Sequence, residues 1–124
     1  MKRPRRRVEV PEGVIDDPSV AHSLVSGYGC LDPDAPPGKR RYGKPAWIGA
    51  FWREHAPELE PNDDDDAGKE AVMRATFKDP EDAAAHRMVA AWRARERQRA
   101  EFLVENGLLA GPALERALWK LRLT

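Results

Sequence analysis

The sequence predicts a mainly α-helical fold, a small helical domain built on a C-terminal αα-hairpin. The first helix of that hairpin spans about 80–106, because no helix breaker occurs between Pro80 and Gly107. The second spans about 112–123, where apolar residues recur at the i, i+3, i+4 and i+7 spacing of one helix face. A chain of 124 residues fits a single domain, 1–124, completed by shorter N-terminal helices and a long irregular loop.

Charge is balanced over the whole chain but unevenly distributed along it. Lysine and arginine total 21, as do aspartate and glutamate, so the formal net charge is zero. Counting side chains gives +3 for residues 1–45, −6 for 46–70 and +3 for 71–124, which sum to zero. Because phosphate neutralisation supplies most of the affinity for nucleic acids, this balance argues against a dedicated nucleic-acid binder.

Hydropathy and cysteine content indicate a cytoplasmic protein that does not enter a membrane. Charged residues make up 34% of the chain and its mean hydropathy is −0.69. Its apolar runs are far shorter than the ~20 residues that cross a bilayer. Cys30 is the only cysteine, so no internal disulfide can form, which favours a reducing compartment. Fifteen arginines against six lysines indicate GC-rich coding, and hence a bacterial or phage source.

The N-terminal third is predicted to contain one short helix between less regular segments. Residues 1–7 are predicted to form a flexible basic arm, and residues 8–15 a short extended piece or weak hairpin. Asp17-Pro18 supplies an N-cap and a proline at the first helical position, so a helix of two turns should follow and end before Gly27. Residues 28–44 contain three prolines and three glycines, which predicts the long irregular loop.

Pro45 opens a clearer helix that ends near Pro57. Its apolar residues form a broad stripe at helical spacing, and such stripes are more often core than a ligand-binding patch. The stripe comprises Trp47, Ile48, Phe51, Trp52 and His55.

An acidic loop is predicted at 58–66, followed by a helix at about 67–77. The loop carries six acids, and Asp63 begins a run of four aspartates. A calcium-binding EF-hand loop starting at Asp63 would need an oxygen ligand at its fifth position and glutamate at its twelfth. Ala67 and Arg74 occupy those positions, so the sequence excludes an EF-hand.

The long helix begins at Asp79-Pro80 and has an apolar seam that its middle interrupts. The seam residues are Ala85, Met88, Val89 and Trp92, then Phe102 and Leu103. Between them, arginines recur at every second position from 93 to 99, and Arg95 and Arg99 fall on the line of the seam. Three arrangements are compatible with this pattern: the arginines snorkel over the core, the helix projects beyond it, or they pair with carboxylates of the 58–66 segment.

The last helix is predicted to have two apolar sides. Leu114, Ala117, Leu118 and Leu121 form the seam expected to pack against the long helix. Trp119 and Leu123 lie one turn apart on the opposite face. The sequence therefore predicts either that the N-terminal half covers this second face or that it is a partner or oligomer surface.

No catalytic signature occurs in the chain, so we predict no catalytic residue, no metal and no cofactor. The three histidines lie on three different predicted helices without the spacing of a metal site, and Cys30 has no adjacent catalytic pattern. A weaker hypothesis is a small enzyme or metalloprotein that uses His22, Cys30, His55 or His86.

The leading functional hypothesis is a non-catalytic helical adaptor or assembly protein that binds a protein partner or a second copy of itself. The predicted partner-binding residues are Trp119, Leu123, Arg95 and Arg99. The alternative is a nucleic-acid-associated protein with basic patches at 2–7, 39–44 and 93–99. Its candidate contact residues are Arg5, Arg6, Arg7, Lys39, Arg40 and Arg41.

Overall fold

The computed structural model describes residues 10–32 and 34–123, with side chains as far as Arg122, and within these ranges the protein is mainly helical. The α-helices are α1 (Pro18–Ser26), α2 (Ala46–His55), α3 (Asp63–Met73), α4 (Ala83–Glu105) and α5 (Gly111–Leu123). A π-helical turn, Arg74–Lys78, extends α3, and 3₁₀ turns form at Pro37–Lys39 and Pro57–Leu59. The predicted helical class is confirmed. The predicted basic arm at 1–7 lies outside the described residues.

Helix α1 begins and ends at the signals that the sequence supplies. Asp17 caps its N-terminus, because the carboxylate accepts a hydrogen bond from the Ser19 amide at 2.9 Å. Gly27 ends it with a φ of 79°, a left-handed conformation that favours glycine, and its N–H donates to the Ser23 carbonyl at 2.9 Å.

The C-terminal carbonyl groups of α1 are buried, and side chains from other helices satisfy them. Unpaired carbonyls in a protein interior would cost free energy, so each needs a donor. The carbonyls of Leu24, Val25 and Ser26 accept from the Trp52 indole (3.0 Å), the Arg99 guanidinium (3.2 Å) and the Trp92 indole (3.4 Å), respectively. Helix α1 is thereby fixed against α2 and α4.

Residues 28–44 are more regular than the predicted irregular loop. They contain a two-stranded antiparallel ribbon of β1 (Gly29–Cys30) and β2 (Tyr42–Gly43), with the 3₁₀ turn between the strands. The Leu31 amide adds a hydrogen bond to the Arg41 carbonyl at 2.9 Å. Each strand has only two residues and one glycine, so the periodicity that identifies strands in sequences is absent.

The described part of the extended N-terminal segment pairs with the α4–α5 connection. The Ile15 N–H donates to the Leu108 carbonyl at 2.8 Å, and the Ala110 N–H donates to the Ile15 carbonyl at 2.9 Å. These bonds form a parallel bridge between Ile15 and Leu109. Residues 8 and 9 of the predicted hairpin lie outside the described ranges.

Helix α3 begins four residues earlier than predicted, so only residues 58–62 of the acidic segment 58–66 lie outside it. The aspartates from Asp63 onward form the first turn of α3, where the helix dipole favours negative charge. Asn62 accepts from the Asp64 amide at 3.0 Å, while Asp65 accepts from the Asn62 amide at 2.9 Å, which completes a capping box.

The principal core lies between α1, α2, α4 and α5. Two residues that the sequence predicts on the apolar seams lie outside this core. Met88 and Leu118 are 42% and 41% exposed. Helix α5 instead buries Ala113 and Ala117, while Leu114 and Leu121 are half-buried against the core. Helix α5 contacts both α1 and α4, and alanines allow the helix backbones to approach more closely than leucines would.

Candidate functional site: two basic depressions beside helix α1

The C-terminal end of the arginine-rich segment forms an internal ion pair. Arg99 and Asp65 are both fully buried, and the guanidinium binds the carboxylate in a bidentate manner at 2.8 and 2.9 Å. Arg99 also donates to the Leu59 carbonyl at 2.9 Å, and Arg95 donates to Asp65 at 3.2 Å. Of the three arrangements predicted for these arginines, pairing with the 58–66 segment is confirmed.

The electrostatics of this pair favour the charged state. Burial raises the pKa of Asp65, but hydrogen bonds from Arg99 and the Asn62 amide, with the charges of Arg99 and Arg95, outweigh it and leave the pKa below its usual value. Arg99 therefore joins α1, α3 and α4 inside the protein. Its burial corrects the expectation that Arg99 lies on a surface that a partner could touch.

A second buried carboxylate connects α4 to α5. Glu96 is 1% exposed and accepts from Arg93 at 2.7 Å and from Lys120 at 3.1 Å. The sequence reasoning missed Glu96. Its position four residues after Trp92 and three before Arg99, on the same helix face, is the signal that could have found it.

The first depression, here called the α1–α5 groove, lies between α1 and α5 and has a volume of about 450 Å³. Small apolar side chains form its floor, Trp119 forms one wall, and basic side chains surround it. The floor comprises Ala21, Val25, Ala113 and Ala117, and the basic side chains are Arg93, Arg116, Lys120 and His22. No carboxylate of the described residues lines the groove. Trp119 is 60% exposed.

The second depression, here called the ribbon cleft, lies between α1 and the β1–β2 ribbon and has a volume of about 550 Å³. It shares His22 and Arg116 with the α1–α5 groove. Its remaining lining is polar and aromatic, with two further cations. These residues are Ser19, Ser23, Ser26, Tyr28, Gly29, Cys30, Arg40, Tyr42, Lys69 and Trp92.

An aspartate and a tyrosine organise one side of the ribbon cleft. The Tyr28 hydroxyl donates to Asp66, whose other oxygen accepts from Lys44 at 2.7 Å. Burial and the hydrogen bond to Asp66 raise the pKa of Tyr28, so the phenol stays protonated. The Lys69 ammonium lies 3.4 Å from the centre of the Tyr28 ring, a cation–π contact. Burial lowers the pKa of Lys69, and the charge of Asp66 opposes that shift.

The histidines occupy three separate environments. His22 lies where the two depressions meet; burial lowers its pKa, as do the charges of Arg116 and Lys120. His55 contacts the Phe51 ring, and His86 lies 2.6 Å from the Pro80 carbonyl. Among the residues that the structure describes, no three histidine, cysteine, aspartate or glutamate side chains are grouped so as to hold a metal.

The two predicted nucleic-acid patches that the structure describes, 39–44 and 93–99, have different surroundings. Lys39 and Arg41 are exposed between β1 and β2, whereas Arg40 lines the ribbon cleft and donates to the Ala35 carbonyl at 3.1 Å. In the 93–99 patch, Arg93 borders the groove and Arg97 pairs with Glu101 at 2.8 Å. Arg5, Arg6 and Arg7 lie outside the described residues, as does the side chain of Leu123, so their roles stay predictions.

Comparisons with protein-family models, with curated proteins and with solved structures found no match to this chain. Over the described ranges, none of the helices combines the length and the apolar character needed to cross a membrane.

Proposed function

We propose that the protein is a non-catalytic adaptor that binds an acidic amphipathic helix of a partner protein in the α1–α5 groove. The observation that carries this proposal is Trp119, a tryptophan 60% exposed beside an alanine floor and basic side chains. Helix-in-groove recognition uses such a surface, since small floor residues allow the visiting helix to lie close.

The energetic case rests on what a partner would cover. A tryptophan side chain buries about 150–250 Å², so covering its 60% exposed fraction removes about 90–150 Å² from water. At about 25 cal/mol per Å² this stabilises a complex by about 2–4 kcal/mol. That range is typical of the aromatic residues that dominate interface energies.

The surrounding charges define the chemistry of the partner. Arg93, Arg116 and Lys120 border the groove, and Arg93 and Lys120 share the charge of buried Glu96. Arg116 forms no ion pair with any carboxylate of the described residues. Acidic residues beside the apolar stripe of a partner helix would complement this border, which favours rapid association and a defined orientation.

The test uses a synthetic helical peptide of about 14 residues, which matches about 20 Å of helix. It carries leucines at i, i+3, i+4 and i+7 with glutamates on both flanks, and a second peptide replaces each glutamate by lysine. We expect the acidic peptide to bind, with a blue shift of tryptophan emission that Trp119→Phe abolishes. Trp119→Ala should weaken binding by about 30- to 700-fold, the equivalent of 2–4 kcal/mol.

Two matched controls keep this test specific. Phe77 is 72% exposed and lies away from the groove lining, and Leu118 is 41% exposed on the same helix as Trp119. Alanine at either position should leave peptide affinity within about threefold of the wild type, well under 1.4 kcal/mol. Equal binding of acidic and basic peptides, or an equal loss in Phe77→Ala, would contradict the proposal. A dimer that Trp119→Ala converts to monomer would replace the partner helix with a second copy.

A further inference from the structure

We propose that the ribbon cleft binds a phosphorylated ligand that carries a planar base, as a free nucleotide or as the end of a single nucleic-acid strand. This site is separate in function from the α1–α5 groove, although His22 and Arg116 border both. The cleft volume of about 550 Å³ lies within the range of small-molecule sites.

Three cations reach the cleft from different parts of the fold. Arg40 comes from the connection between β1 and β2, Lys69 from α3 and Arg116 from α5. None of the three is ion-paired with a carboxylate of the described residues. Like charges that share a concave surface repel one another, and a bound phosphate with a charge of about −2 would relieve that repulsion.

The nearby carboxylate is already engaged by other side chains. Both oxygens of Asp66 accept hydrogen bonds, one from the Tyr28 hydroxyl and the other from Lys44. Lys69 lies against the Tyr28 ring rather than beside a carboxylate oxygen. Among the described residues, therefore, no carboxylate is in direct contact with the three cations that face the cleft.

Aromatic and hydroxyl groups supply the second half of the recognition. Tyr42 lines the cleft and is 66% exposed, so its ring offers a face on which a base can stack. Ser23 carries a hydroxyl, lines the cleft and is half-buried. A ribose or phosphate oxygen could accept from this hydroxyl.

The experiment titrates the 124-residue chain by calorimetry with adenosine 5′-monophosphate, adenosine, inorganic phosphate and a short 5′-phosphorylated single strand. We expect the monophosphate to bind more tightly than adenosine or phosphate alone and to weaken as salt is raised. Arg40→Met and Lys69→Met should each weaken it at least about tenfold. Tyr42→Ala should weaken the monophosphate but leave inorganic phosphate unchanged.

Matched variants outside the cleft exclude a general charge effect. Arg87→Met and Lys78→Met remove exposed cations that do not line the cleft, and both should bind as the wild type does. No binding of the monophosphate at millimolar concentration, equal binding of adenosine, or an equal loss in Arg87→Met would each overturn the proposal. A strand that binds at least about tenfold more tightly than the monophosphate identifies the strand end as the source, and otherwise the ligand is a free nucleotide.

The two proposals fail independently. Trp119 lines only the groove, whereas Arg40, Lys69 and Tyr42 line only the cleft. Trp119→Ala should therefore weaken peptide binding without changing nucleotide affinity, and Lys69→Met should weaken nucleotide binding without changing peptide affinity.

Discussion

Replacing Asp65 by asparagine removes the negative charge from the internal pair while nearly preserving side-chain volume. In the native protein this carboxylate accepts from Arg99 at 2.8 and 2.9 Å, from Arg95 at 3.2 Å and from the Asn62 amide at 2.9 Å. An asparagine amide keeps one oxygen that can accept from these donors, but its NH2 group then faces the donors on the other side. The Arg99 charge, fully buried, then has no compensating anion in contact.

The expected loss is large relative to the whole stability. Removing one partner of a buried ion pair costs about 3–5 kcal/mol, and small domains unfold with about 5–15 kcal/mol. Arg99 keeps the carbonyls of Leu59 and Val25 as acceptors, so we expect a loss near the lower end, about 3 kcal/mol. Urea unfolding followed by circular dichroism measures this quantity directly.

Glu101→Gln is the matched control because it makes the same chemical change on an exposed pair. Glu101 contacts Arg97 at 2.8 Å, but the two side chains are 40% and 41% exposed. Such pairs contribute about 0.5 kcal/mol or less. A loss in Asp65→Asn no greater than that in Glu101→Gln would refute the argument that burial makes this pair important.

The stability of Asp65→Asn should also depend on pH differently from that of the wild type. Because Arg99 and its neighbours hold the folded pKa of Asp65 below the unfolded value of about 3.9, the stabilisation is complete above that value. It is lost as pH falls through the folded pKa. Asp65→Asn should therefore show a shallower loss of stability on acidification than the wild type, measured by the urea midpoint between about pH 6 and 2. An unchanged slope would contradict the lowered pKa.

Two further pairs of substitutions test helix packing and the buried Glu96 ion pair. Gly68→Ala would place a Cβ 2.3 Å from the Trp92 Cβ, so it should destabilise the protein by about 1–3 kcal/mol. A Cβ at Gly49 in α2 would lie 3.6 Å from its nearest neighbours, the side chains of Arg53 and Glu60, so Gly49→Ala should stabilise the protein by about 0.5–1 kcal/mol. Glu96→Gln should cost about 1–3 kcal/mol because Arg93 and Lys120 lose their shared carboxylate, and exposed Glu105→Gln should be neutral. Thermal melts of both pairs check these signs.

The sequence predicts the helical class and the ends of α1 because those depend on local chemistry. Asp17 and Gly27 act within a few residues of their positions, and so their effect is visible in one stretch of chain. The start of α3 was wrong by four residues because an aspartate run reads as a solvated loop. Asp65 of that run caps α3 together with Asn62. The Asn62 side chain accepts a hydrogen bond from a helix amide, and the Asp65 side chain accepts one from the Asn62 amide.

The interior of α4 was harder to predict because charged residues occupy core positions. Ala85, Trp92 and Leu103 are buried, and the 3–4 spacing that connects them passes through Glu96 and Arg99. Periodicity therefore placed Arg99 on the seam, but only the tertiary fold brings Asp65 to it. For α5 the sequence prediction placed mainly leucines on the buried face. Because α5 contacts two neighbouring helices, the smaller alanines occupy the buried positions where the helices approach most closely.

The internal pair and the two depressions are linked through α1. Arg99, Trp52 and Trp92 hold the C-terminal carbonyls of α1, and that helix is a wall of both the α1–α5 groove and the ribbon cleft. The arginines between 93 and 99 differ in role because residues two positions apart lie on different sides of a helix. Arg99 therefore stabilises the fold while Arg93 borders the groove. Binding and stability should accordingly separate by mutation: changes at exposed Trp119 and Tyr42 should alter affinity, and changes at Asp65 should alter the free energy of unfolding.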